Sequence, residues 1–156
     1  MYNRLLAFCA RHIATLGPIG YLPYPGTWGT LCAIPLVYVT RIYNLIPYFS
    51  DDKCIIVLLM LFALGVVHYA LPQFYSFDPS EIVIDEVVGY FISMYRVSHS
   101  WQLFLLAFVI FRIYDIVKPF NIQMVEEIGG TWSVVLDDVL AGAFTSITIS
   151  ILLRFI

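Results

Sequence analysis

The segment covering residues 54–71 contains no Asp, Glu, Lys or Arg, and His68 is its only imidazole. About 20 such residues are enough to cross the hydrocarbon of a bilayer as a helix. The composition agrees, because 61% of the 156 residues are hydrophobic and 12% are charged, with a mean hydropathy of +0.87. A soluble domain of this size leaves a large share of its surface in water, where so much apolar material would be unfavourable. The sequence therefore predicts a membrane protein.

The other apolar segments extend this prediction to an all-α, polytopic membrane helical bundle in one domain, 1–156. An amphipathic or partly inserted helix is expected over 2–16. About five helices are expected to be embedded, and they cover residues 31–49, 54–71, 80–95, 101–118 and 134–154. Pro119 should end the fourth of these, and a short surface helix with a turn is expected over 119–133.

Two connecting segments carry turn signals. Residues 17–30 contain four glycines and three prolines, so we expect a structured Pro/Gly loop followed by a helix that begins near Leu31. Exposed N–H groups in such a turn suit phosphate binding, which makes Gly26, Thr27 and Gly29 candidate substrate contacts; a simple turn is the alternative. Residues 73–80 form a second loop, with the next helix starting at about Ser80.

The acidic residues gather at helix ends beside apolar runs. Asp85-Glu86 and Asp137-Asp138 are two adjacent pairs, each followed within a few residues by a glycine. Neighbours on a helix point about 100° apart, so at most one acid of each pair points straight into a bundle. Arg112, Asp115 and Lys118 recur every three residues and share one helix face.

Two acidic pairs that meet across a helix contact would repel each other strongly. A hard divalent cation removes this conflict, and Mg²⁺ prefers carboxylate oxygens and water. The sequence therefore predicts a magnesium site made by Asp85, Glu86, Asp137 and Asp138. The alternative is that these acids are interfacial residues that face water.

The number of predicted crossings places the polar groups together. If the helix at 80–95 is embedded, both acidic pairs, the Arg112–Lys118 face and the Pro/Gly loop lie on one side of the membrane. The net charge of −3 and the lack of a basic patch give no sign of a nucleic-acid partner.

Four separate motifs resemble the phosphatidylglycerophosphatase A family of bacterial membrane phosphatases. They are PGTWGT at 25–30 with AIP at 33–35, DPSEIVIDEVVG at 78–89, FRIYDIVKP at 111–119 and LDDVLAG at 136–142. The resemblance runs from about residue 16 to residue 150. One departure is GGTWSV at 129–134, which is bulkier than the Gly-rich version that is typical of the family.

The resemblance implies an all-helical enzyme that removes the terminal phosphate of phosphatidylglycerophosphate with Mg²⁺. It also implies a multi-pass protein of the bacterial inner membrane with its active site facing the cytoplasm. On this hypothesis Asp85, Glu86, Asp137 and Asp138 hold one or two ions, and Arg112 and Lys118 contact phosphate oxygens. Asp115 then orients Arg112 or serves as a further ligand or base, so the catalytic set comprises these five acids.

Two other classes of function fit parts of the pattern. Carboxylates within a membrane also mark the proton or cation path of a small ion-coupled transporter or channel. A non-catalytic membrane scaffold would need the acids only for folding. The sequence leaves the oligomeric state, the number of ions and the nucleophile open.

Overall fold

A computed structural model describes residues 4–42, 52–76, 78–97, 100–119, 125 and 129–155. Within these ranges the chain forms six α-helices and two 3₁₀ turns and contains no strand, so the predicted all-helical class is confirmed. The 3₁₀ turns are Ile19–Tyr21 and Leu71–Gln73. The helices are α1 (Arg4–Ala14), α2 (Pro25–Ile42), α3 (Asp52–Ala70), α4 (Ile84–Ser93), α5 (Trp101–Val117) and α6 (Gly130–Leu152).

The short helix α4 lies at the centre of the fold, where it packs against α2, α3, α5 and α6. At 1.5 Å per residue it is only about 15 Å long, too short to cross the roughly 30 Å of a bilayer's hydrocarbon. Nearly all of its residues are buried inside the protein: Ile84, Asp85, Val87, Val88, Gly89, Tyr90, Phe91 and Ser93. The first acidic pair therefore enters the interior of the bundle on α4.

Glycines allow α4 and α6 to approach each other closely. A Cβ atom at Gly89 would lie 2.7 Å from the carbonyl oxygen of Asp138, and one at Gly142 would collide with the carbonyl oxygen of Gly89. On the other side of α4, the Tyr90 hydroxyl donates to the Phe104 carbonyl at 2.8 Å and ties α4 to α5. These contacts fix where the acids of α4 and α6 lie relative to each other.

Two helical segments in the described part of the chain are long and apolar enough to cross a membrane, Lys53–Gln73 and Gly130–Leu152. The first of them presents a row of exposed apolar side chains, which comprises Val57, Leu58, Leu61 and Phe62. By length and composition two helices could therefore span a membrane, and the larger number of about five embedded helices stays a prediction.

The structure corrects the predicted start of α2. Residues 25–30 are helical rather than part of the loop, because Pro25 occupies the first helical position, where its missing N–H costs nothing. Thr30 Oγ1 donates to the Gly26 carbonyl at 2.8 Å within the same turns. The 3₁₀ turn Ile19–Tyr21 occupies part of the remaining Pro/Gly segment.

The start of α4 also differs from the prediction. The helix begins at Ile84 rather than at about Ser80, and residues 79–82 form a turn in which the Ile82 N–H donates to the Pro79 carbonyl at 3.0 Å. The Val83 N–H donates to the Ala14 carbonyl of α1 at 2.9 Å. This long-range bond ties the residue directly before α4 to the end of α1.

The other predicted helices are present with shifted ends. Helix α1 matches the amphipathic segment, and α5 is capped by Ser100, which accepts from the Leu103 N–H. Helix α6 starts at Gly130 instead of residue 134, directly after Gly129, whose φ of 71° only glycine adopts easily. Residues 43–50, 120–124 and 126–128 lie outside the described residues, as do parts of the predictions for 31–49 and 119–133.

Candidate functional site

Three carboxylates converge where α4 meets α6. One oxygen from each of Asp85, Glu86 and Asp138 lies within 4.8 Å of the others, the one such group found in the described part of the chain. Asp85 is 6% exposed and Asp138 is 4% exposed, so this is an interior cluster and not a solvated acidic face. The close contact of α4 with α6 at Gly89 brings the two helices' acids together.

Two oxygens of this cluster lack the partners that buried polar atoms need. Glu86 Oε2 and Asp138 Oδ1 are inaccessible to solvent and accept no hydrogen bond from any described residue. Leaving buried carboxylate oxygens without a donor or a cation is costly. Three carboxylates at this spacing are the hard oxygen ligands that a divalent cation such as Mg²⁺ prefers, so the donor set fits such an ion.

Burial also changes the protonation of the α4 pair. Burial raises the pKa of Asp85 well above its usual value, and the negative charges of Glu86 and Asp137 raise it further. Burial raises the pKa of Glu86 to about 7, although the charge of Arg112 opposes this change. The cluster therefore resists carrying its full negative charge unless a positive charge is supplied.

Arg112 on α5 is the cation beside this cluster. Its Nη1 atom lies 2.6 Å from Asp115 Oδ2, one turn along the same helix, and 4.0 Å from Glu86 Oε1. The Nε and Nη1 atoms are buried and make no well-aligned hydrogen bond with any described residue. Asp115 thus holds the guanidinium by charge, while the buried Nε atom has no hydrogen-bond partner among the described residues.

The fourth predicted ligand, Asp137, has a different neighbour. Its Oδ2 atom accepts from Lys118 Nζ at 2.9 Å, and its Oδ1 atom accepts from the backbone N–H of Asp138 at the same distance. Lys118 adopts a left-handed backbone conformation, with a φ of 47°, where it ends α5. The structure therefore places Asp137 in an ion pair beside the three-carboxylate cluster, outside the group of three.

The first turn of α2 closes the site from another side. A Cβ atom at Gly26 would collide with Glu86 Oε1 and lie 2.9 Å from Arg112 Nη1, so only glycine fits there without displacement. Gly29 packs in the same way on Val83, directly before α4. Both glycines therefore let the helix start lie against the acids and Arg112.

The start of α2 contains two threonines, and of these only Thr27 was predicted as a substrate contact. The Thr27 N–H donates to the Tyr24 carbonyl at 3.0 Å, which uses this candidate phosphate donor inside the helix start. Thr30 was not predicted as a site residue, yet it is fully buried and its hydroxyl donates to the Gly26 carbonyl. In the sequence, the only sign of a role for Thr30 was its position three residues after Thr27. The helical structure shows that Thr30, and not Thr27, has the hydroxyl that bonds to the Gly26 carbonyl.

Comparisons with known proteins identify the family of this chain. The family model described as Phosphatidylglycerophosphatase A matches residues 12–153, a range that contains every residue of the site. No solved structure matches the chain.

Three curated relatives align with this chain over most of its length and over most of their own. A Phosphatidylglycerophosphatase A of Haemophilus influenzae is 34% identical over 131 residues, which is 81% of this chain and 77% of the relative. The Escherichia coli protein of the same name is 30% identical over 126 residues, or 78% and 70%. A Bacteroides thetaiotaomicron protein named "Putative phosphatidylinositol-3-phosphatase" is 35% identical over 138 residues, or 85% and 86%. The chain is therefore a phosphatase and belongs to the phosphatidylglycerophosphatase A family.

Proposed function

We propose that this enzyme hydrolyses the terminal phosphate monoester of phosphatidylglycerophosphate, releasing phosphatidylglycerol and inorganic phosphate, with Mg²⁺ as cofactor. The observation that carries the proposal is the group of Asp85, Glu86 and Asp138, with two buried oxygens that lack a partner, beside the guanidinium of Arg112. Family membership supports the substrate. The transporter and scaffold alternatives receive no support from the relatives, which are named as phosphatases.

In this proposal Asp85, Glu86 and Asp138 hold the metal ion. Their oxygens lie close enough together to share one cation, and their burial keeps competing water away. When bound, the ion supplies positive charge that offsets the charge of the phosphate and polarises its oxygens. Asp137, which the sequence suggested as a fourth ligand, instead fixes Lys118 through their 2.9 Å ion pair.

Arg112 binds the phosphate oxygens in this scheme. Its buried Nε donor has no hydrogen-bond partner among the described residues, and a guanidinium can make a forked contact with an oxyanion, which a lysine cannot reproduce. Asp115 fixes the guanidinium from one turn away. Lys118 adds a second positive charge at the same end of α5, where Asp137 prevents its long side chain from turning outward.

The start of α2 lies against the proposed phosphate site and forms one side of it. Gly26 lets the first turn of the helix approach Glu86 and Arg112, so the positive end of the helix dipole lies beside the site. This partial charge favours an anionic substrate. We propose that the segment comprising Gly26, Thr27 and Gly29 limits the space available to the headgroup.

The membrane location forms a further part of the proposal. We propose that α3 and α6 cross a bacterial inner membrane and that the site faces the cytoplasm, so the lipid reaches the enzyme without leaving the bilayer. Cell fractionation, followed by labelling of a Tyr24→Cys variant in a cysteine-free background, tests this arrangement. A reagent that does not cross the membrane should label residue 24 only after the cells are opened, and labelling of intact spheroplasts would reverse the orientation.

The decisive activity measurement is phosphate release from phosphatidylglycerophosphate by the purified enzyme in detergent. EDTA should abolish release and added Mg²⁺ should restore it, while an Asp85→Asn variant should stay inactive in both conditions. The matched control is Asp51→Asn, which changes an acid between the predicted segments at 31–49 and 54–71. Full activity in the presence of EDTA, or in the Asp85→Asn variant, would refute the metal assignment.

A second substrate is favoured by the name of the Bacteroides relative. Phosphatidylinositol 3-phosphate is also a lipid phosphate monoester, and the same cluster and arginine could bind its phosphate. Measuring kcat/KM for both lipids under identical micelle conditions separates the two functions. A higher value for phosphatidylinositol 3-phosphate would replace the proposed substrate and leave the proposed site unchanged.

A further inference from the structure

An apolar groove runs along the outside of α2 toward the start of α5. Its volume is about 520 Å³, within the range of about 300–1,000 Å³ that is typical of small-ligand sites. No charged side chain lines it, and its lining comprises Leu31, Ile34, Pro35, Tyr38 and Trp101. The groove therefore suits an aliphatic occupant and offers nothing to bind a phosphate or another polar headgroup.

The groove lies on α2 and α5, the two helices that carry Gly26 and Arg112 of the site. Near one end of this helix pair, Gly26 of α2 lies against Arg112 of α5. Near the other end, the rings of Tyr38 and Phe104 meet edge to face with centroids 5.8 Å apart, so the two helices run antiparallel. Leu31 follows Gly26 by five residues, about 7.5 Å along the helix, so the groove begins close to the site and leads away from it.

We infer that this groove holds an acyl chain of the lipid substrate while its phosphate lies at Arg112 and the carboxylates. The inference rests on the proposed function, because it assigns the apolar part of the same substrate. A chain in the groove contacts Leu31 and Tyr38, which are 37% and 41% exposed without it. A bound acyl chain covers this apolar surface, which stabilises the complex. A chain held in the groove also keeps the phosphate at a fixed distance from it.

Trp101 determines how far the groove extends. It is 58% exposed at the first position of α5, and it closes the end of the groove that is distant from the carboxylates. A chain that enters beside Gly26 would therefore pass Pro35 and reach the indole ring. The open side of the groove faces outward, so a lipid can enter sideways from the bilayer.

A substitution that fills the groove tests the inference by kinetics. Leu31→Trp should raise the KM for long-chain phosphatidylglycerophosphate on the order of tenfold relative to the KM for the same headgroup without acyl chains. The control is Leu61→Trp, an equally large change at an exposed apolar position of α3, and it should leave this ratio at the wild-type value. An unchanged ratio in Leu31→Trp, or an equal change in Leu61→Trp, would overturn the inference.

A labelling experiment makes the test independent of catalysis. Purified enzyme is irradiated with phosphatidylglycerophosphate that carries a diazirine near the end of one acyl chain, and the labelled residues are identified by mass spectrometry. Labels at Tyr38 and Trp101 should be lost when excess unlabelled phosphatidylglycerophosphate is added and retained when phosphatidylcholine is added. Labels on the exposed face of α3 should respond equally to both lipids.

The outcomes separate the groove from the proposed function. Competed labelling of Tyr38 and Trp101 by an enzyme that releases no phosphate from this lipid would keep the groove and refute the function. Phosphate release without selective labelling of these residues would keep the function and refute the groove. Protection of the groove in a dimer, identified by light scattering, would assign this surface to a second copy of the chain and would also refute the inference.

Discussion

The two acidic pairs are similar in sequence, yet their surroundings differ. Asp85 and Glu86 begin the buried helix α4, and both contribute oxygens to the three-carboxylate cluster. In the second pair only Asp138 joins that cluster, while Asp137 lies 2.9 Å from Lys118. Both acids of the α4 pair therefore lie in the cluster. In the α6 pair one acid lies in the cluster and the other pairs with Lys118.

The difference arises from the helices around each pair. In both, the first aspartate accepts from the backbone N–H of the next residue, at 3.1 Å for Asp85 and 2.9 Å for Asp137, so the local geometry is alike. Neighbouring side chains on a helix then point about 100° apart. On α6 this rotation directs one acid to α4 and the other to the end of α5, where Lys118 lies. Two adjacent acids on one helix can thus have different roles, with Asp138 in the cluster and Asp137 holding Lys118.

Neutralising the two acids of the α6 pair separately should have the largest and most unequal effects. Asp138→Asn should lower kcat/KM for phosphatidylglycerophosphate on the order of 10²–10³-fold, because it removes a buried charge from the proposed metal site. Asp137→Asn should cost about tenfold, since it only releases Lys118. Titrating Mg²⁺ in each variant checks the reason, because only Asp138→Asn should need much more Mg²⁺ for half-maximal activity. Equal losses would show that the two acids act alike.

Exchanging the two cations should have the next largest effect. Arg112→Lys should lower kcat/KM about 10–100-fold, because a point charge cannot reproduce the forked contact that Arg112 is proposed to make. Lys118→Arg keeps the charge beside Asp137 and should cost less than about fivefold. Steady-state kinetics at saturating Mg²⁺ measures both variants. A larger loss in Lys118→Arg would transfer the proposed phosphate contact from Arg112 to Lys118.

The sequence was sufficient to predict the helical class and the meeting of the acids. Helical periodicity places Arg112 one turn from Asp115, and the structure has them 2.6 Å apart. The cluster of Asp85, Glu86 and Asp138 follows the expectation that the acidic ends of two helices share one region. These features depend on local periodicity and on the cost of isolated buried charge, which the residue types alone reveal.

The missed features depend on contacts between distant parts of the chain. Glycines and prolines favour a loop at 25–30, but α2 continues through this segment because Gly26 packs against Glu86. Similarly, the pairing of Asp137 with Lys118 requires the left-handed backbone of Lys118, which is uncommon for a residue with a side chain. Sequence spacing identified both groups as site residues but did not predict their pairing.

Separating α4 from α6 should disturb both pairs together. Gly89→Ala places a methyl group 2.7 Å from the Asp138 carbonyl and equally close to the Phe111 ring, in a part of the core that has no space for it. The free energy of unfolding should fall by about 1–3 kcal/mol, with weaker Mg²⁺ binding as the helices move apart. Gly65→Ala on α3 is the matched control, because a Cβ atom there meets nothing within 4 Å. A similar loss of stability in both variants would refute close packing as the cause.

The smallest effect concerns the stability of the metal-free enzyme. Because burial raises the pKa of Glu86 from 4.5 to about 7, ionisation of this group opposes folding, and stability should fall as the pH rises through that range. Glu86→Gln should reduce this fall and gain about 1–2 kcal/mol at pH 7.5.

Thermal unfolding in EDTA between pH 4.5 and pH 7.5 compares Glu86→Gln with the unaltered enzyme. Adding Mg²⁺ should stabilise the unaltered enzyme at pH 7.5 and should stabilise Glu86→Gln much less, because binding to the folded state requires the missing carboxylate. If Glu86→Gln is less stable than the unaltered enzyme without metal, its carboxylate is a structural ion-pair partner of Arg112. The contrast between the two acidic pairs would then fail, because Glu86 and Asp137 would both serve mainly to hold a cation.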